Sequence, residues 1–211
     1  MRKSILAFAA AGAATLAFGA LHAQQGGPPS PPPPPSNDAS KVTGGTYKAD
    51  PFHTQVMYNY NHLGFTTNMG LLSGANGTLT IDPKAPNNAK LSVDVPINTI
   101  HTTIDALDKE LVSPMFFDAA KFPNAHFEST SVNANGNSAT INGNLTIHGV
   151  TKPATINATF VAVGPNMMSK KEYLGFNGTA KIKRSDFGVG MGVPMVGDEV
   201  NLTITAAFEK Q

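Results

Sequence analysis

The stretch Val-Met-Tyr-Asn-Tyr-Asn-His at residues 56–62 alternates between two kinds of side chain. In an extended strand, side chains two positions apart lie on the same face of the sheet. One face of this segment therefore carries Val56, Tyr58, Tyr60 and His62, and the other carries a methionine and two asparagines. This period of two predicts a β-strand with one face toward the interior.

The same alternation recurs along most of the chain. It is present at residues 78–81, 90–95, 144–147, 154–160 and 200–205. The polar partners are mostly threonine and asparagine, so one face of each segment is suited to water, as in antiparallel sheets. About eight such segments predict an all-β fold, either a closed barrel or a sandwich.

Four Asn-Gly pairs punctuate these segments. Both residue types tolerate positive φ, so the pair is typical of tight β-hairpin turns. A glycine inside a strand can instead mark a bulge or a bend in a barrel. The pairs are Asn76-Gly77, Asn135-Gly136, Asn142-Gly143 and Asn177-Gly178.

One region departs from the strand pattern and predicts a short helical insertion. Ile104, Leu107 and Leu111 follow the spacing of one helix face, and Thr102 with Asp105 resembles a capping box. The next segment begins with serine and proline at 113–114, which predicts a second short helical turn through residue 120.

The N-terminal segment of the chain predicts export. A basic pair at residues 2–3, an apolar run at 5–21 and small residues up to Ala23 predict a signal peptide over residues 1–23, the alternative being an uncleaved membrane anchor. Residues 24–42 include five consecutive prolines and predict an extended linker. The folded domain is predicted over residues 43–211, with no further membrane-spanning segment.

Composition limits how the domain is stabilised and what it binds. The 211 residues include no cysteine, so the hydrophobic core must hold the fold without disulfides. The formal net charge of +1 falls to about −1 once Arg2 and Lys3 are removed with the signal peptide. That balance argues against nucleic acid as a partner. The sequence leaves the oligomeric state open, a homodimer being one option.

Motifs for catalysis or metal binding are missing from the sequence. The histidines of the exported part, His53, His62, His101, His126 and His148, are too widely spaced for a local metal site. There is no Gly-x-Ser-x-Gly elbow, and the glycines at 188–192 do not open a helix after a strand. We therefore predict no metal, no cofactor and no enzymatic activity.

A barrel of about eight strands can hold one small ligand if large side chains do not fill it. The alternation of apolar residues is equally expected for a solid core. The residues alone therefore leave both a ligand cavity and a filled barrel open.

Several spaced segments resemble the YceI-like polyisoprenoid-binding proteins. The chain reads Asp-Pro-Phe-His-Thr at 50–54 and His-Leu-Gly-Phe-Thr at 62–66. Further similar segments follow in the same order at residues 113–119, 122–130, 143–153, 182–188 and 196–200. The resemblance spans about residues 46–208. The chain departs from it at residues 107–111, where the arginine and histidine often present in the family are missing.

The resemblance implies an extended, lipocalin-like antiparallel barrel with a helical insertion, located in the periplasm. It implies a long isoprenoid lipid, either a polyprenyl phosphate or an isoprenoid quinone, in a tunnel along the barrel axis. The leading hypothesis is a binding or carrier protein. The alternatives are an enzyme acting on a lipid-like or amide substrate in the same cavity, and a ligand-free stress-response domain.

Seven residues are predicted to form the ligand site. Strand parity places Val56, Tyr58, Tyr60 and His62 inside the barrel. Phe116, Phe117 and Phe127 are candidates for the tunnel wall or its lid. The alternative for the pair at 116–117 is a plug that packs the insertion onto the barrel. Arg184 and Asp186 are expected to be structural.

Overall fold

A computed structural model describes residues 33–211, which form one antiparallel sheet of ten strands and one short helix. The predicted signal peptide and the first part of the predicted linker lie outside the described residues. The strands are β1 Gly45–Ala49, β2 Gln55–His62, β3 Thr66–Leu72, β4 Asn76–Ile81, β5 Lys90–Pro96, β6 Asn124–Asn135, β7 Ser138–Ile147, β8 Val150–Pro165, β9 Glu172–Lys183 and β10 Val196–Lys210. The helix, α1, spans Asp105–Val112.

Eight of these strands close into a barrel. The order is β1-β4-β5-β6-β7-β8-β9-β10, and β1 pairs with β10 to complete the circle. β10 is long enough to take two partners on one edge, because Phe208 to Lys210 pair with β1 and the residues from Val196 to Thr205 pair with β2. The predicted all-β, lipocalin-like barrel of about eight strands with a helical insertion is confirmed.

The hairpin of β2 and β3 extends the wall where β1 is absent. β2 pairs with β10, and β3 is joined on its free edge to the segment before α1 by a bridge between Leu71 and His101. Leu71 and His101 exchange two backbone hydrogen bonds of 2.9 Å. We call the end of the barrel where β2 ends and β10 begins the upper end.

The opposite, lower end holds the packed core. Tyr47 and Leu174 are fully buried there. The rings of Phe160, Phe176 and Phe208 meet edge to face, with centroids 5.6 and 6.1 Å apart. Such aromatic contacts add to the free energy gained by burying the rings. This core stabilises the end at which the barrel closes on itself.

Part of the predicted linker also packs on this end. Ser36 and Val163 exchange two backbone hydrogen bonds of 2.8 Å, and Val42 is buried among the core residues. Between them, Asp38 accepts a hydrogen bond from the Ser40 amide and begins a turn of 3-10 helix at Ala39–Lys41. The boundary at residue 43 stays a prediction.

One of the four Asn-Gly pairs forms a hairpin turn. Gly136 lies between β6 and β7 with φ at 57°. The other three pairs lie inside β4, β7 and β9, because their glycines make room for close neighbours. A Cβ at Gly143 would overlap the ring of Phe127, and one at Gly77 would overlap the backbone of Ser92.

The insertion between β5 and β6 contains one helix instead of two helical turns. The predicted capping box is wrong, since Thr102 bonds to Asp108 and the cap position is Ile104, which has no capping side chain. Ser113 accepts a hydrogen bond from the Met115 amide, but only turns follow through residue 121. The chain folds back there because the Phe117 amide donates to the Leu111 carbonyl.

Candidate functional site

A cavity of about 750 Å³ runs through the barrel. Its walls are the inward faces of the strands, where every second residue is apolar. On β10, for example, these positions are Val200, Leu202, Ile204 and Ala206. The volume falls within the usual range for pockets that enclose small molecules.

Small side chains keep the barrel from being filled. Ala139, Ala158 and Gly178 lie side by side on neighbouring strands, and all three line the cavity. Ala154 and Ala180 add two further inward positions with short side chains. In a barrel of eight strands, larger residues at these positions would occupy the interior. The structure thus resolves the alternative between a filled barrel and a cavity in favour of the cavity.

The four residues predicted on β2 all line this cavity. Tyr58 and Tyr60 are stacked, with ring centroids 6.4 Å apart and planes 8° from parallel. Val56 lies below them and His62 lies above them on the same face of the strand. The two rings form one side of the wall.

The three predicted phenylalanines line the same cavity. Phe127 projects from β6 and is buried, with its ring over Gly143. Phe116 and Phe117 lie in the turns after α1, and Leu111 of α1 also faces the cavity. The insertion therefore contributes to the wall. Contact of any of the seven predicted residues with a ligand stays a prediction.

The hydroxyl of Tyr58 is buried without a partner. Within residues 33–211, no hydrogen-bonding group lies within reach of its Oη atom. Burial raises the pKa of Tyr58 well above its ordinary value, and the nearby Tyr60 and Asp108 raise it further. The hydroxyl therefore stays neutral at physiological pH.

Arg184 lines the upper end of the cavity, and its guanidinium group donates hydrogen bonds to backbone carbonyls. Its Nε donates to the Gly197 carbonyl at 2.9 Å, and its two terminal nitrogens donate to the carbonyls of Val189, Met191 and Val196 at 2.7–2.8 Å. Burial lowers the pKa of Arg184, while the nearby carboxylate of Asp198 acts in the opposite direction. The expected structural role of Arg184 fits these contacts.

Helix α1 is tethered through Asp108. Oδ1 of Asp108 accepts hydrogen bonds from the amide and the hydroxyl of Thr102 at 2.7 and 2.6 Å. Oδ2 pairs with Nδ1 of His101 at 2.9 Å. The pKa of Asp108 is lowered, chiefly by the Thr102 hydroxyl. These bonds hold a helix whose residues Leu107, Glu110 and Leu111 line the cavity.

The first segment of the family resemblance, residues 50–54, lies at the lower end, and its Asp50 and His53 do not line the cavity. Asp50 accepts hydrogen bonds from the Tyr173 hydroxyl and from the Phe52 amide, and pairs with His53 at 2.7 Å. Burial tends to raise the pKa of Asp50, but these hydrogen bonds outweigh it and lower the pKa. Thr54 completes the motif by bonding to the backbone of β10.

No group of three or more histidine, aspartate or glutamate side chains within residues 33–211 is placed to hold a metal ion. No helix in that part of the chain is long and apolar enough to cross a membrane.

The site prediction omitted most of the cavity wall. The missed aliphatic residues occupy inward positions on β7 to β10, and the same period of two that selected β2 marks them. They include Ile141, Leu145, Ile147, Ile156, Ile182, Leu202 and Ile204. The helix residues Leu107 and Leu111 also follow from the helical spacing.

Comparison with known proteins agrees with this fold. The sequence model of the family described as "YceI-like domain" matches residues 47–208. A curated "UPF0312 protein" of Pseudomonas aeruginosa (strain LESB58) is 37% identical over 175 residues, covering 82% of this chain and 91% of that protein. The family match spans nearly all of the barrel.

Solved structures show the same architecture. The crystal structure of the Campylobacter jejuni YCEI protein matches with a TM-score of 0.62 and 29% identity, over 72% of this chain and 90% of that one. A polyisoprenoid binding domain from Saccharophagus degradans has a TM-score of 0.56 at 13% identity, over 78% and 98% of the two chains. The latter likeness concerns the fold.

Proposed function

This chain belongs to the YceI-like family, and from that premise we propose that it is a periplasmic binding or carrier protein for a long isoprenoid lipid. The observation that carries the proposal is the continuous apolar cavity of about 750 Å³ inside the barrel. The ligand we propose is a polyprenyl phosphate or an isoprenoid quinone.

The energetics of such binding favour an apolar chain. Each buried CH₂ group contributes roughly 0.8 kcal/mol, part of which is offset by the cost of ordering the chain. The wall offers aliphatic and aromatic carbon along its length, and Tyr58 and Tyr60 provide flat faces against which branched methyl groups can pack. The description of the Saccharophagus degradans domain as polyisoprenoid binding supports this ligand class.

The lining of the cavity is mostly apolar, as expected for a binding protein. His62 and Glu110 are ionisable groups at the upper part of the cavity, and Arg184 is engaged with backbone carbonyls. A polar head group placed at this end would have His62 and Tyr60 within the same wall. The signal peptide predicted over residues 1–23 agrees with export to the periplasm. The possible homodimer stays a prediction, which light scattering can test.

The ligand can be identified directly. We would express the full chain in a bacterial host, purify it without detergent, extract it with organic solvent and analyse the extract by mass spectrometry. We expect an isoprenoid species in a molar ratio near one to one. Protein that is recovered empty and takes up no added polyprenol or quinone would contradict the proposal.

A pair of variants on β8 links the ligand to the cavity. Ala158→Phe places a ring inside the barrel, whereas Thr159→Phe places the same ring on the exposed outer face. We expect the first variant to lose ligand and the second to retain it, with circular dichroism showing that both are folded. Equal ligand content in the two variants would place the ligand outside the barrel.

A further inference from the structure

The loop that leads from β9 into β10, taken together with the first two residues of β10, has an unusual composition. Residues 188–197 read Gly-Val-Gly-Met-Gly-Val-Pro-Met-Val-Gly and contain no charged or hydrogen-bonding side chain. Met191, Val193 and Met195 are nonetheless exposed to solvent. Exposed loops of soluble domains normally carry polar side chains, and contiguous exposed apolar residues mark interaction sites.

Most backbone carbonyls of this loop accept hydrogen bonds from within the protein. The carbonyls of Val189, Met191, Val196 and Gly197 accept hydrogen bonds from Arg184. Inside the loop, the Gly190 carbonyl accepts a hydrogen bond from the Val193 amide, and the Gly192 carbonyl accepts one from the Val196 amide. In a hydrocarbon environment an unsatisfied backbone group is costly. The loop thus combines apolar side chains outside with hydrogen-bonded carbonyls inside.

The turn between β2 and β3 extends this apolar surface. The Leu63 amide donates to the Met195 carbonyl at 3.1 Å, which ties the turn to the loop. Leu63 and Phe65 are exposed, Phe65 at 88%. Leu63 also adopts a φ of 57°, a left-handed conformation that is unfavourable for a branched side chain. Strain of this kind is commonly found at functional sites.

The cavity reaches the surface at the same place. Met191 and Gly192 both line the cavity and are exposed to solvent. Val196, which begins β10, and His62, which ends β2, line it too. A lipid that passes between the cavity and a membrane at this end would pass these residues.

We propose that the loop 188–197 and the turn 63–65 dock on the surface of a lipid bilayer, with the upper end of the cavity facing the membrane. A bilayer fits better than a protein partner, because protein interfaces carry a polar rim with hydrogen bonds that this loop cannot offer. The proposal concerns the bilayer itself, so it can be tested with vesicles that contain no isoprenoid. Its outcome is therefore independent of the identity of the cavity ligand.

The chain contains no tryptophan, which makes a single introduced tryptophan a local reporter. Phe65→Trp places one on the proposed surface. Phe52→Trp is a matched control, because Phe52 is 85% exposed in the loop between β1 and β2, near the opposite end. Emission would be recorded for the full chain with phosphatidylcholine vesicles, with and without brominated acyl chains.

With vesicles, we expect the emission of Phe65→Trp to shift to the blue and brominated lipid to quench about half of it, since interfacial side chains lie roughly 5–10 Å into the bilayer. Phe52→Trp should show neither change. Equal responses of the two variants, or no response from Phe65→Trp, would overturn the proposal. A blue shift that depends on protein concentration without vesicles would instead identify a second copy of the chain as the occupant.

A second experiment measures affinity. Phe65→Ser combined with Met195→Ser should reduce flotation with the same vesicles by about tenfold or more, because two large apolar side chains are lost from the contact. Met167→Ser combined with Met168→Ser removes two exposed side chains in the β8–β9 hairpin and should leave flotation unchanged. All variants keep the same N-terminal residues, so a difference between them reports on the docking surface.

Discussion

Tyr58 on β2 lies directly opposite Gly70 on β3, and its phenol ring occupies the space that a side chain at position 70 would need. A Cβ on Gly70 would overlap Oη and the adjacent ring carbons of Tyr58. The orientation of one cavity-lining tyrosine therefore depends on a missing side chain across the strand pair.

We predict that Gly70→Ala destabilises the fold by about 1–3 kcal/mol, because the added methyl group forces the tyrosine out of its position. Urea unfolding measures the change in the free energy of unfolding. Gly175→Ala is the control, since a Cβ there would meet its neighbours at ordinary distances of 3.7–4.0 Å. In a Tyr58→Ala background the cost of Gly70→Ala should largely vanish, and additive costs would contradict the explanation.

The unpaired hydroxyl of Tyr58 predicts that Tyr58→Phe stabilises the protein, by up to about 1–3 kcal/mol, since a buried polar group without a partner is costly. Tyr47→Phe should have the opposite effect on stability, because the Tyr47 hydroxyl has a hydrogen-bond partner. The Tyr47 hydroxyl donates to Glu172 at 2.5 Å, and burial with this contact raises the pKa of Tyr47 to about 12. Its loss should destabilise the fold by about 1.5–3 kcal/mol. Thermal unfolding of both variants checks the two signs, and destabilisation by Tyr58→Phe would refute the first.

The barrel could be predicted from the sequence because its signal is repeated. Each strand carries the period of two that also fixes which side chains face inward. The inward orientation of Tyr58 and Ile204 therefore follows from the strand alternation alone. The cavity could not be read in this way. It depends on Ala158 and Gly178 meeting across neighbouring strands, and this pairing is a matter of register between distant segments.

Local motifs were less reliable than periodicity where tertiary contacts compete with them. Asn142-Gly143 has the sequence of a hairpin turn but lies within β7, because Gly143 is needed beneath the ring of Phe127. The pair Thr102 and Asp105 has the spacing of a capping box, yet the threonine bonds to Asp108 instead. In each case a contact with another side chain determines the outcome.

The hydrogen bonds to Asp50 predict a dependence of stability on pH. The folded-state pKa of Asp50 is lowered, because the Tyr173 and His53 contacts outweigh the effect of burial. Ionised Asp50 therefore stabilises the fold above the unfolded pKa of about 3.9, and this contribution is lost as the pH falls through the folded pKa. Asp50→Asn should cost about 1–3 kcal/mol at pH 7, and the cost should fall progressively as the pH drops below the unfolded pKa of about 3.9.

Urea unfolding of Asp50→Asn and of the unsubstituted protein between pH 3 and pH 7 tests this prediction. Asp105→Asn serves as the control, since Asp105 is exposed at the start of α1 and its substitution should cost little stability. A cost of Asp50→Asn that does not change with pH would show that the ionised carboxylate contributes little.

The tether of α1 predicts how the cavity exchanges its ligand. Asp108 holds the helix to Thr102 and His101, and the cap position itself offers no side-chain hydrogen bond. Asp108→Ala removes all of these bonds while leaving the apolar face of the helix, with Leu111, unchanged. The helix should then open more often without unfolding the barrel, because the bonds that tie it to the segment before it are lost.

We expect the amides of residues 105–112 to exchange with deuterium about fivefold faster in Asp108→Ala, an effect similar to the loss of a helix cap. Because Leu107 and Leu111 line the cavity, a bound isoprenoid should also dissociate faster, by a comparable factor. Asp105→Ala, three residues earlier on the same helix, removes a first-turn carboxylate but none of these bonds and should change both rates much less. Faster exchange with unchanged dissociation would mean that ligand leaves the barrel elsewhere, whereas faster exchange across β6 and β7 would show that the substitution weakens the barrel instead of the helix.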